Sequence, residues 1–166
     1  KEIGLNNTEI KQLRKSLGGE TFVNPFTDVV EKAWYYDYVM DMAEQGVIKG
    51  MTPTTFEPES NLTRAQTAML LYRIAGEPSV EGTASFKDVP ANEWYATAVA
   101  WAEKNGVVNG TTPTTFEPDA DVTRAEFVTM LYRFAGKPEN MAAATFTDLK
   151  DGWYMDAVSW AETNGI

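Results

Sequence analysis

Apolar positions along this chain fall into short helical stripes, separated by loops rich in glycine and proline. Tyr95, Ala98, Val99 and Ala102 stand at i, i+3, i+4 and i+7, which is one face of a helix. Gly106 suits the left-handed residue that ends it. Val128, Leu131, Tyr132 and Ala135 repeat that spacing before Gly136 and Pro138 stop the run. Between the two, Val107, Val108, Asn109 and Gly110 read as extended, and Pro113 and Pro118 stiffen the loop. The predicted unit is helix A, loop, helix B.

The unit recurs every 60 residues, since Phe26, Phe86 and Phe146 are evenly spaced and each is followed by an aspartate: Asp28, Asp88, Asp148. Trp34-Tyr35, Trp94-Tyr95 and Trp153-Tyr154 follow, and Gly46, Gly106 and Gly165 close the next segment. The seven residues Thr-Pro-Thr-Thr-Phe-Glu-Pro occur at 52–58 and again at 112–118. Leu-Tyr-Arg recurs at 71–73 and 131–133. These periods divide the chain into an N-terminal segment (1–25), two full copies (26–85 and 86–145) and the first half of a third (146–166). The N-terminal segment reads either as a linker or as a helix capped at Thr8, with Ile10, Leu13 and Leu17 apolar and Gly18-Gly19 as its stop. Such a helix would occupy a B position, with Glu9 where the other copies have arginine.

Thr63 with Gln66, and Thr123 with Glu126, each precede an apolar run in the capping-box pattern. Arg64 and Arg124, at the first helical position, are not explained by helix stability, because their charge meets the positive end of the helix dipole. Two uses remain open: a salt bridge to the neighbouring loop, or a ligand contact in which guanidinium and free helix-start N–H groups converge on a carboxylate.

Taken in order, the Phe-x-Asp, Trp-Tyr, Gly-Val-Val-Asn-Gly, Thr-Arg-Ala-Glu and Leu-Tyr-Arg elements resemble the S-layer homology (SLH) domain, from Phe26 to Ile166. The resemblance implies a mainly α fold of helix-loop-helix repeats in a pseudo-threefold bundle. It also implies a non-catalytic anchor on the bacterial cell surface, part of a larger exported protein, that binds secondary cell wall polysaccharide, often pyruvylated. Carried onto this chain, the ligand-binding residues are Arg64, Arg124, Gly50 and Gly110, with Asp28, Asp88, Trp34 and Trp94 beside them. Gln66 in place of glutamate, and a third copy that reaches only its first half, depart from the pattern. The alternative is a structural or protein-interaction repeat module that binds no glycan. With small residues at Ala98, Ala102, Ala157 and Ala161, the three A helices are expected to pack together.

Composition narrows the chemistry. The chain has 166 residues, 43% of them hydrophobic, enough to bury a core. It contains no cysteine and no histidine, so thiolate nucleophiles, Cys-ligated zinc and the commonest general base are absent. No catalytic residue, metal site or cofactor is predicted. A net charge of −10 argues against nucleic acid, and no apolar run reaches membrane-spanning length. Glu117, Asp119 and Asp121 alternate in one loop without the opposed geometry of a glycosidase or the register of a calcium loop. Of the five tryptophans, Trp101 and Trp160 follow Trp94 and Trp153 by seven residues, so one of each pair should pack between repeats and the other could stack on a sugar ring.

Overall fold

A computed structural model describes residues 13, 16–18, 22–139 and 141–166. Five helices occur among them: α1 (Tyr36–Glu44), α2 (Arg64–Ile74), α3 (Ala96–Lys104), α4 (Arg124–Phe134) and α5 (Met155–Thr163). Beyond these, only isolated β-bridges are present among the described residues. The A helices are thus α1, α3 and α5, and the B helices α2 and α4. The candidate N-terminal helix from Thr8 lies outside the described residues, except that the Leu17 N–H donates to the Leu13 carbonyl and Gly18 has φ +75°.

Each helix type has its own start. Both B helices open with the reciprocal capping box: the Thr63 and Thr123 hydroxyls accept the N–H of Gln66 and Glu126, whose side chains accept the threonine N–H in return. The A helices begin directly after the Trp-Tyr pairs, with Tyr35, Tyr95 and Tyr154 at their N-caps, and carry no side-chain cap. A turn leads in instead, with Glu93 N–H on Pro90 and Ala96 N–H on Glu93. Gly46, Gly106 and Gly165 end the A helices at φ +72°, +66° and +69°, a region closed to most side chains.

The chain forms two compact units, Lys1–Pro58 and Glu59–Ile166. In the first, Phe26, Val29, Val39 and Met40 make a small core, and Phe26 lies 5.5 Å from Phe56. In the second, the expected stripe of α3 is buried in full: Tyr95, Ala98, Val99 and Ala102 join Leu71, Tyr72 and Phe116 in one cluster. Trp101 sits between Tyr72 of the first copy and Phe134 of the second, and Trp160 rests on Tyr132, as the spacing predicts. On α4 the stripe is only half covered; Ala135 is exposed, and the fully buried residues are Thr129 and Met130. Phe146 is also exposed, with no counterpart of Phe116 against it among the described residues.

One packing expectation is overturned in the second unit. The A helices α3 and α5 do not touch; α3 packs on α2, α5 packs on α4, and the two B helices meet. The small residues Ala98, Ala102, Ala157 and Ala161 are buried as expected. Their role is to admit the B helix of the preceding copy.

Each loop is held by an aspartate from the start of its own copy. Asp88 accepts the N–H of Phe116 (2.8 Å) and of Glu117 (2.7 Å), and Asp28 does the same for Phe56 and Glu57. These bonds fix Glu57 and Glu117 at φ +62° and +58°, where a side chain is normally disfavoured. Burial raises the Asp88 pKa, but the two amides and Arg64 outweigh it, and the net shift is downward from the ordinary 3.8. A depressed carboxylate stabilises the fold fully above its unfolded pKa, and that contribution is lost as pH falls through the lower folded value. We therefore expect the Phe116 and Glu117 amide signals to titrate together with pH, with a midpoint below the ordinary aspartate value. Asp88→Asn should cost about 1.5–3 kcal/mol in urea unfolding at neutral pH.

Candidate functional site

The second unit contains a groove of about 410 Å³ built from three copies. The first copy supplies Arg64 at the start of α2, and the second supplies the Asn109 to Thr111 turn with Glu126 and Arg133 of α4. The third supplies Trp153. Arg64 is 5% exposed. Its Nε donates to the Phe116 carbonyl at 2.7 Å, its Nη2 to the Asn109 carbonyl at 2.8 Å, and its Nη1 lies 3.5 Å from Glu126 Oε1. The guanidinium carbon stands 4.7 Å from the centre of the Phe116 ring, a cation–π contact. Burial lowers the Arg64 pKa, and Glu126 and Glu117 oppose that shift.

The free N–H groups of this helix start are also occupied. Arg64 N–H donates to the Ala120 carbonyl and Ala65 N–H to the Pro118 carbonyl, each at 2.9 Å. Of the two uses open to a box arginine, Arg64 is therefore tied to the neighbouring loop, mainly through carbonyls, and its helix start offers no empty anion cradle. Arg124 is exposed at the start of α4 and lies outside the groove.

Glu126 serves two neighbours. Its Oε2 accepts the Thr123 N–H at 2.9 Å and the Thr123 hydroxyl at 2.8 Å, while Oε1 faces Arg64. Burial pushes its pKa up, and the bonds from Thr123 with the charge of Arg64 more than reverse this, so it remains ionised. Gln66 reproduces the cap in the first copy without the charge. Farther along the same helix Arg133 is half-buried, and burial lowers its pKa. With the Asn109 amide oriented to donate to the Val108 carbonyl, its oxygen accepts from Arg133 Nη2 at 3.3 Å. Trp153 is 63% exposed and meets Tyr154 edge-on, which leaves its ring open to solvent.

Arg64 and Gly110 of the residues predicted from sequence meet in this groove, with Asp88 behind it holding the Phe116 loop. Gly110 allows a close backbone approach: a Cβ there would collide with the carbonyls of Thr112 and Thr115 and with the Phe86 ring. Gly50 is confined in the same way by Thr52, Thr55 and Phe26 in the first unit, where Asp28 holds the matching loop. Trp34 and Trp94 are exposed, Trp34 in the first unit and Trp94 outside the groove. Sequence reasoning did not single out Arg133 or Asn109. The signal available for Arg133 was the repeated Leu-Tyr-Arg, followed by Glu77 in one copy and Lys137 in the other.

Residues 25–68 and 85–128 match the S-layer homology domain. The chain is 33% identical over 132 residues to the S-layer protein EA1 of Bacillus anthracis, covering 77% of this chain and 15% of that protein. It is 33% identical over 110 residues to a cellulosome-anchoring protein of Acetivibrio thermocellus, covering 63% and 25%. An amylopullulanase of Thermoanaerobacterium thermosulfurigenes is 30% identical over 148 residues, covering 85% of this chain and 8% of the enzyme. The chain thus spans a quarter or less of the length of these relatives.

Because Arg64 joins two copies, its loss should register first as stability. We expect Arg64→Ala to cost about 2–4 kcal/mol, leaving the Phe116 and Asn109 carbonyls unpaired. Arg124→Ala should cost less than about 0.5 kcal/mol. Equilibrium urea denaturation of both variants measures the difference.

Proposed function

Since the chain belongs to the S-layer homology domain family, we propose that its Arg64 groove seats an acidic sugar of a secondary cell wall polysaccharide. The coarser role follows from the family: this is a repeat module for anchoring at the bacterial cell surface, outside the cell. It serves as a domain of a larger exported protein. The enzymes among its relatives share only a small fraction of their length with it, so their catalysis is no guide to this chain.

The observation that carries the glycan reading is the groove's composition. Two guanidiniums and one carboxylate line it, beside an open indole ring, in a chain whose net charge is −10. A local positive site against an acidic background favours a small anionic group over a polyanion. The indole face suits the apolar face of a sugar ring. The three-copy construction also ties any site to correct stacking of the repeats. A second reading has its own support: the burial of Arg64 in carbonyl contacts is what a purely structural repeat module requires.

Cosedimentation with bacterial cell walls, before and after chemical removal of their attached polysaccharide, separates the two. We expect retention on intact walls only, weakened by salt. Trp153→Ala should reduce affinity roughly three- to tenfold, the worth of one ring contact at about 0.5–1.5 kcal/mol. Equal retention on stripped walls would favour the structural reading.

A further inference from the structure

We infer that Arg133, rather than the box arginine Arg64, is the cation that meets the acidic group of the ligand; the inference rests on the glycan reading above. The two guanidiniums share one groove but differ in what already occupies them. Arg64 is locked on all sides by the Phe116 and Asn109 carbonyls and by Glu126. It has little left to offer a ligand without releasing the loop. Arg133 is half-buried in the same groove, and the one polar contact it makes among the described residues is to the uncharged Asn109 side chain. Among the described residues no carboxylate pairs with it, and the cause of its lowered pKa is burial alone.

The repeat supplies its own comparison. Arg73 holds the equivalent place on α2, and its Nε lies 3.9 Å from Glu77 Oε1 one turn on. In the second copy the residue at that place is Lys137, on the same left-handed backbone, φ +54° against +52°. The sequence difference therefore removes the carboxylate that would neutralise the arginine and puts a cation there. A partly desolvated guanidinium without a counter-ion is unfavourable, and a neighbouring Arg64 adds repulsion. A ligand carboxylate relieves both. The planar fork of Arg133 suits two-point contact with a carboxylate borne by a sugar, with that sugar's ring against Trp153.

Binding to polysaccharide-bearing Bacillus cell walls, with stripped walls as the blank, tests this in four variants. Arg133→Gln and Arg133→Lys should each bind about tenfold or more weakly, with a thermal midpoint within about 2 °C of the unaltered chain. Lys137→Glu rebuilds the Arg73–Glu77 arrangement on a backbone already shown to accept glutamate. It should weaken binding by a similar factor through occupation of Arg133, whereas Lys137→Gln should change it less than about twofold. Full-strength binding by both Arg133→Gln and Lys137→Glu would overturn the assignment and return the ligand contact to other groups. Equal losses in Lys137→Glu and Lys137→Gln would also overturn it, because the absence of the lysine, and not occupation of Arg133 by a carboxylate, would then be at work. If the unaltered chain shows no preference for intact walls, the glycan reading itself fails, and the assignment with it.

Discussion

The guanidinium of Arg64 closes a contact between the B helix of one sequence copy and the loop of the next. A positive charge at a helix start is locally unfavourable, yet here it is met by two carbonyl oxygens and the Glu126 carboxylate. Phe116 and Asn109 receive its side chain, and Ala120 and Pro118 receive the N–H groups of the same helix start. For those carbonyls to converge, the loop must hold a tight shape. Asp88 fixes its Phe116 end, and Gly110 permits the close crossing at the other. The packing partners in space are thus a B helix and the A helix of the following copy, and the compact units divide between Pro58 and Glu59, inside a sequence period.

That arrangement decides what the groove can do. A cation that staples two copies together is poorly placed to let go for a ligand, while the groove it creates gathers other groups: Glu126 from the cap, Arg133 from the last turn of α4, and Trp153 from the third copy. In the proposed assignment, stability and recognition are divided between Arg64 at the start of α2 and Arg133 in the last turn of α4, on helices of successive copies. The copies have diverged at the residues that tune charge. Gln66 against Glu126 and Glu77 against Lys137 change the counter-ions without changing the capping box or the helix end.

Much of the fold was legible in the sequence, because local signals set it. Thr63 and Thr123 cap as their spacing requires, Gly106 ends its helix with positive φ, and the stripe through Tyr95 and Val99 is the buried one. What the periodicity could not disclose was partnership. Ala98 and Ala102 announce close helix packing, but small size does not say which helix arrives, and the B helix α2 arrived in place of another A helix. The same limit applies to the site. Asp88 and Gly110 stand out as repeated residues, yet their hydrogen bonds and close contacts show that holding the loop already accounts for their presence. Arg133 gave only a weak signal, since its isolation depends on a residue four positions on and on a groove wall contributed by another copy.

The division of labour between the two arginines is open to direct view by nitrogen-15 NMR of the arginine side chains. In the unliganded chain we expect the Arg64 Nε–H, held by the Phe116 carbonyl, to exchange slowly with solvent while that of Arg124 exchanges freely. On addition of solubilised cell wall polysaccharide, the Arg133 signals should shift and those of Arg64 should stay where they are. Rapid exchange at Arg64, or a ligand shift that falls on Arg64 and spares Arg133, would contradict it.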